Sequence, residues 1–282
     1  MLRISVGTEL LQVPDKLYII TIIYNSRVED IRSLDVFLSF KEKYPDTVIM
    51  AVDNSVDETI LKSNSACTLP VEYIPCGGNA GISKAYNIAL NTIKDENFRV
   101  MLSDDDTLFS EEYMENMYKA AQLAENKDRL ICGLIDTDKG WMSPRSVKTT
   151  NAVFPFMLKK PVPGVYKDRN PVNSGLCIPG FLLHKIGGYD ERLFLDYVDY
   201  LFMDKIRDIG YGEVVLVPGK IHQEFSGFSD NLDSTLKRWE IFRKDFTAYC
   251  DITNKSWAYK NYLLARRSLN INAQKILKRN KT

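Results

Sequence analysis

Residues 98–107 read FRVMLSDDDT. The run Phe98 to Leu102 passes without a break into Ser103, Asp104, Asp105, Asp106 and Thr107. A short apolar run of this kind reads as a strand buried in a parallel sheet. Such strands deliver whatever follows them to the carboxyl edge of the sheet, where α/β folds bind ligands. Strand side chains alternate, so three consecutive aspartates put at least Asp104 and Asp106 on one side. Paired carboxylates hold hard divalent cations, commonly together with substrate phosphates. The competing reading is a solvated turn or a helix cap, and Ser110, Glu111 and Glu112 do form a helix start. The cluster alone does not choose between them.

The surrounding sequence supplies context. Residues 17–24 (LYIITIIY) predict a strand buried on both faces, and residues 47–52 (TVIMAV) and 71–74 predict two more. Helical spacing covers residues 27–43 and 83–93. Alternating strands and helices predict an α/β doubly wound half. Three of its strand ends are polar: Tyr24, Asn25 and Ser26; Asp53, Asn54 and Ser55; and the aspartates. Asp53 either accepts a hydrogen bond from a pyrimidine N–H or closes a turn and caps a helix. Gly77, Gly78, Asn79, Ala80 and Gly81 precede a helix, and glycines there allow close backbone approach to a phosphate at the helix start. Such loops also serve only to turn the chain.

The second half is less regular. Residues 131–135 and 214–217 predict strands, and residues 197–209, 232–249 and 255–278 predict helices. Residues 141–173 are Pro-rich and broken, the pattern of a long functional loop. Asp196 and Asp199 sit in the aromatic stretch FLDYVD (194–199). Carboxylates in apolar surroundings titrate high, which suits a general base; alternatively Asp196 caps the helix and Asp199 lies on its wet face. His222 follows a strand, where a neutral imidazole completes an Asp/His metal site or plays a structural part.

Bulk properties exclude more than they identify. The 282 residues carry equal numbers of acidic and basic side chains, so the total charge does not point to nucleic acid. Eight bases and no acids follow Asp251, which leaves a basic tail on an acidic body and implies an anionic partner for the tail. Five scattered cysteines, Cys67, Cys76, Cys132, Cys177 and Cys250, form neither a disulfide framework nor a zinc pattern and fit a reducing cytoplasm. No signal peptide or membrane-length apolar run is recognisable.

These residues resemble family 2 glycosyltransferases of the GT-A fold, particularly the rhamnosyltransferase-like branch, from about residue 17 to about residue 249. Tyr24-Asn25 resembles the family's opening motif, and Val52 to Ser55 its second-strand segment. Residues 79–87 (NAGISKAYN) and 102–107 resemble its helix-start and D-x-D motifs. Asn173-Ser174-Gly175 is similar to its acceptor-side stretch, and residues 187–199 are similar to its GG-x-D-E-x-x-F-x-D-x-V-D segment. The resemblance implies a GT-A, Rossmann-like fold with a mostly parallel sheet and C-terminal helices. A glycosyltransferase unit would span residues 1–250 and a basic helical tail residues 251–282. Donor contacts would come from Thr21, Tyr24, Asn25, Asp53, Asn79, Gly81, Lys84 and Asp104. Asp106 and His222 would hold Mn2+ or Mg2+, Asp199 would be the catalytic base, and Ser174, Gly175 and Asp196 would face the acceptor. The implied reaction is inverting transfer from a nucleoside-diphosphate sugar, dTDP-rhamnose or a UDP-sugar, to a glycan or lipid-linked glycan of a bacterial surface polysaccharide.

The sequence departs from the family at Ser103, at Leu201 where an acid is usual, and at Arg243-Lys244. Two rival readings are a haloacid-dehalogenase-type phosphatase, which also uses D-x-D, and a non-catalytic sugar-binding protein. The phosphatase needs Thr or Val two residues beyond the second aspartate, where this chain has Leu108. For the tail, Leu263, Leu264, Leu269, Ile271, Ile276 and Leu277 among the bases predict either a peripheral helix on the inner face of the cell membrane or a helix that packs on the domain or forms a homodimer.

Overall fold

The computed structural model of the chain describes residues 15–147, 160–224 and 232–279. Its first half carries strands β1 (Lys16–Ile23), β2 (Val48–Asp53), β3 (Glu72–Pro75) and β4 (Phe98–Asp104), interleaved with helices α1 (Leu34–Lys43), α2 (Glu58–Ser65) and α3 (Ile82–Leu90). β1 lies parallel between β2 and β4, and β3 extends the sheet beyond β2. The apolar run of β1 is buried on both faces. Tyr18, Ile20 and Ile22 enter one core, and Leu17, Ile19 and Ile23 enter the other. Each such side chain contributes roughly 1.5–3 kcal/mol on burial, which makes β1 the anchor between the two layers of helices.

The second half comprises β5 (Thr107–Phe109), α4 (Glu111–Ala121), β6 (Leu130–Thr137), β7 (Gly140–Ser143), β8 (Arg145–Ser146), β9 (Gly164–Tyr166), β10 (Arg169–Asn170), β11 (Leu176–Pro179), α5 (Gly180–Ile186), α6 (Val198–Asp208), β12 (Val214–Gln223), α7 (Leu232–Ile252) and α8 (Trp257–Arg279). The main sheet runs in the order β3, β2, β1, β4, β11, β6, β12, β5. β11 is antiparallel to both β4 and β6, while β6 and β12 are parallel. The acidic turn after β4 therefore faces the end of β12, which pairs with β5.

Three departures from the sequence expectations have local causes. The helix expected from residue 27 begins at Leu34, after a short 3-10 turn at Val28–Asp30. The buried Ser33 hydroxyl stitches the chain to β5 instead, donating to the Thr107 carbonyl at 2.8 Å and accepting from Phe109 N–H at 2.8 Å. The helix α2 went unread, although Asp57 caps it by accepting from Thr59 and Ile60 N–H. Finally, β12 does not stop at Val217 but continues to Gln223. Its register shifts between Leu216 and Lys220, so Pro218 and Gly219 fall in a bulge rather than ending the strand. A β-carbon at Gly219 would collide with the Tyr113 backbone.

In the tail, Tyr259, Leu263 and Leu264 of α8 pack against the core of the body, while Leu269 is 68% exposed. The side chains of Ile276 and Leu277, and residue Lys281, lie outside the described residues. No helix among the described residues is long and apolar enough to cross a membrane.

Candidate functional site

The turn after β4 is braced from the strand beside it. Asp104 N–H donates to the Ser174 hydroxyl at 3.2 Å, and that hydroxyl shares a 2.8 Å hydrogen bond with Thr107. Gly175 N–H donates to the Leu102 carbonyl at 2.8 Å. Gly175 has φ +73°, and a β-carbon there would lie 2.9 Å from Ile221 Cδ1, so the position is closed to other residues.

The three aspartates then diverge. Asp105 turns towards β1, accepting from the Ser26 hydroxyl at 2.6 Å and Tyr24 N–H at 3.4 Å. Asp104 and Asp106 converge on a residue the sequence reading missed. Gln223 Nε2 donates to Asp104 Oδ2 at 2.8 Å and to Asp106 Oδ1 at 3.3 Å. Burial pushes the Asp104 carboxyl up to about 7, with repulsion from Asp106 adding to it. Burial raises Asp106 as well.

This acidic pair fits a divalent cation. Two half-buried carboxylates share one amide, and the Gln223 Oε1 atom beside them is buried without a partner. Among the described residues no group of three or more His, Cys, Asp or Glu side chains closes on one point. A cation would thus take the two carboxylates and draw its other oxygens from substrate phosphate or water.

His222, expected to hold the metal with Asp106, makes no hydrogen bond to the acidic pair. Because β12 runs through it, His222 and Gln223 point to opposite faces. The amide of Gln223 reaches the acidic pair, while His222 Nε2 lies 3.6 Å from Asp138 Oδ1.

Removing the buried repulsion has a measurable effect on stability. Asp104 holds its proton more tightly folded than unfolded. Its contribution is therefore full below the ordinary carboxylate range and is lost as pH rises through about 7. Asp104→Asn is expected to stabilise the metal-free protein by about 1–2 kcal/mol at pH 8 and by nothing at pH 4. Urea midpoints at the two pH values check this.

Asp199 lies in the first turn of α6, after Tyr197 in the left-handed region at φ 62°. Asp199 Oδ1 accepts from Tyr200 N–H at 2.9 Å, and burial pushes its carboxyl up to about 6. The loop before it is clamped from two sides. Asp245 of α7, 2% exposed, accepts from three successive N–H groups, those of Phe194 (2.9 Å), Leu195 (2.8 Å) and Asp196 (2.7 Å). On the other side the Phe194 carbonyl accepts from Ile82 N–H at 2.7 Å, at the start of α3. The Phe194 ring and carbonyl leave no room for a β-carbon on Gly81, φ +83°. Asp196 is gripped by both Arg238 Nη atoms, one of them at 2.7 Å. Asp245→Ala strands three N–H groups, and a loss of about 2–4 kcal/mol is expected in urea unfolding.

A cavity of about 470 Å³ is lined by Asp104, Ser174, Asp196, Asp199, Gln223 and Arg238, among others. Asp106 joins the group through Gln223. The remaining expected donor residues do not line this cavity but gather along the ends of β1 and β2 and the start of α3. There Asn25, at φ 51°, accepts from Val56 N–H at 3.0 Å and Asp57 N–H at 3.3 Å. Asn79 accepts from Asn54 Nδ2 at 3.2 Å. Tyr24, Asn79 and Lys84 are exposed, and Thr21 is buried with its hydroxyl unpartnered. Asp53 has no exposed surface, and its carboxylate accepts from Ser55 N–H (2.9 Å), Asn64 Nδ2 (2.7 Å) and the Tyr73 hydroxyl (3.0 Å). In this arrangement it closes the strand-end turn.

Asp245 also escaped the sequence reading, although a signal was present. It lies on the same helical face as Phe242, Phe246 and Tyr249, where a buried acid must find donors.

Comparison with known proteins gives three results. The family description "Glycosyl transferase family 2" matches residues 18–176, more than half of the chain. A dTDP-rhamnosyl transferase, RfbF of Shigella flexneri, is 26% identical over 202 residues, covering 71% of this chain and 65% of that protein. The chain thus spans about 65% of the length of this curated relative. A crystal structure of GalNAc-T7 with UDP, GalNAc and Mn2+ superposes with a TM-score of 0.58 at 14% identity, over 83% of this chain and 48% of that one, which shows a shared fold. The matched family region opens in β1, contains the acidic turn and ends at the start of β11, and on that evidence the chain belongs to glycosyl transferase family 2.

Proposed function

We propose that the protein is an inverting, metal-dependent glycosyltransferase that takes a sugar from dTDP-rhamnose or a UDP-sugar. The acceptor would be a glycan or lipid-linked glycan of a bacterial surface polysaccharide. One observation carries the reading: Asp104, Ser174, Gln223 and Asp199 line a single cavity. The acidic pair suits the diphosphate end of a donor, and Asp199 suits the end where an acceptor hydroxyl must lose a proton.

A Mn2+ or Mg2+ ion held by Asp106 and Asp104 would neutralise charge on the leaving diphosphate. Gln223 holds both carboxylates in place through one amide. Ser174 fixes the backbone of Asp104. Asp199, whose carboxyl titrates near 6, is charged at neutral pH yet still basic enough to accept a proton. It would deprotonate the acceptor hydroxyl as that oxygen attacks the anomeric carbon opposite the diphosphate. The clamp of Asp245 and Gly81 on the preceding loop fixes the position of that carboxylate. The phosphatase alternative fits less well, because the acidic turn follows β4 rather than the first strand and Leu108 occupies the position where it needs Thr or Val.

The test is to incubate the protein with dTDP-rhamnose and UDP-sugars, manganese and a panel of glycan acceptors. The anomeric configuration of any product is then read by NMR. A glycoside of configuration opposite to the donor supports the reading. Retention of configuration, or free phosphate from a phosphate ester with no sugar donor, overturns it.

A further inference from the structure

Two arginines of the cavity are left over by the chemistry above. Arg145 of β8 and Arg267 of α8 both line it. Arg238, which also lines it, is committed to Asp196 through two hydrogen bonds. Arg145 spends its Nε on the Met142 carbonyl at 2.9 Å and stands 5.6 Å from the Trp141 ring. Arg267 lies flat on Phe242, its guanidinium carbon 3.6 Å from the ring centroid. Among the described residues neither has a carboxylate at ion-pair distance. A guanidinium stacked on a ring keeps its N–H edge free in a fixed plane, the geometry that takes a carboxylate or phosphate in bidentate fashion.

Their position separates them from the acidic end. Arg267 acts electrostatically on Asp196 and Tyr197, and Arg145 acts on Tyr200, all around the first turn of α6. Neither is among the groups that shift Asp104 or Asp106. The cavity therefore holds, besides the acidic pair, two arginines near Tyr197 and Tyr200 that have no carboxylate at ion-pair distance among the described residues.

Resting on the glycosyltransferase reading, we infer that Arg145 and Arg267 form an oxyanion subsite on the acceptor side, and that the natural acceptor carries a phosphate or carboxylate close to the hydroxyl that is glycosylated. The basic tail thereby becomes part of the substrate site, because α8 brings Arg267 into the cavity.

The test measures binding to full-length protein saturated with nucleoside diphosphate and manganese. The probes are octyl hexosides in three matched forms: neutral glycoside, glycosyl phosphodiester and uronide. An anionic form is expected to bind about tenfold more tightly than the neutral one, as charge-assisted hydrogen bonds to guanidinium imply. Whichever anionic form binds tighter identifies the source of the charge. In the Arg145→Ala/Arg267→Ala double variant the preference should fall to within about twofold, with nucleoside diphosphate affinity unchanged. Arg267→Lys should retain part of it, which separates charge from folding. Equal binding of the neutral and anionic forms overturns the inference. So does a preference that survives the double substitution, or a loss of nucleoside diphosphate affinity in its place. Donor cleavage by the wild-type protein with manganese and the same acceptors is followed separately. Its absence would reject the transferase reading, whereas its presence with no anionic preference would reject only the subsite.

Discussion

Asp199→Asn is expected to lower kcat for sugar transfer by about 10²–10⁴-fold, the range a positioned general base supplies. Nucleoside diphosphate affinity should stay within about twofold, because Asp199 makes no hydrogen bond to the acidic pair or to Gln223, which holds it. The amide keeps the shape and can still accept from Tyr200 N–H, as the carboxylate does at 2.9 Å. What it loses is the capacity to take a proton. The wild-type rate has a matching pH signature. Burial raises this carboxyl to about 6, so the charged base disappears as pH falls through that value. The acid limb of kcat/KM should therefore lie near pH 6 rather than in the ordinary carboxylate range, and Asp199→Asn should remove it. A stopped-flow or coupled assay of both proteins between pH 4.5 and 8, about the span this carboxyl titrates over, reads both effects. Full activity in the variant would reject the assignment of the base.

Asp106→Asn should be nearly as damaging, about 10²–10³-fold in kcat, for a different reason. Asp106 and Asp104 are the two carboxylates that converge on Gln223. Taking away one leaves a single charge to hold a dication against a diphosphate. The signature should be a higher manganese concentration for half-maximal rate, partly recovered by excess metal. Asp105→Asn is the control. Its carboxylate faces Ser26 and Tyr24 rather than the acidic pair, so it should leave the metal requirement unchanged. A rate in Asp106→Asn equal to wild type at limiting metal would remove Asp106 from the metal site.

Much of this was legible in the sequence, and the failures share a cause. The runs at residues 17–24, 47–52 and 98–102 identify β1, β2 and β4, because burial on both faces makes them predominantly apolar, with Thr21, Thr47 and Arg99 the buried polar exceptions. Asp104, Ser174, Asp196 and Asp199 were all marked, and they meet in one cavity. The place of His222 relative to the acidic pair turns on strand parity. A strand ending at Val217 leaves the next residues free to point anywhere. A strand running through a bulge to Gln223 assigns alternate faces, and a one-residue difference exchanges His222 for Gln223. The partners of Asp245 and Arg267 were likewise not legible. These two residues act on loops far away in sequence, and only the packing of α7 and α8 reveals which backbone or cavity they meet. Asp53 was ambiguous because its two readings use the same carboxylate oxygens. Asn64, 11 residues further on, and Tyr73 occupy them here.

The central claim is that this cavity cleaves a nucleotide-sugar with help from a metal held by the acidic pair. The most direct measurement is nucleoside diphosphate release from dTDP-rhamnose and from UDP-sugars by the wild-type protein, with manganese, with magnesium and with chelator. The account predicts release from one donor class, dependent on metal, abolished by chelator and restored when metal is returned. Release that proceeds undiminished in chelator, or no release from any nucleotide-sugar in the presence of metal and acceptor, would contradict it.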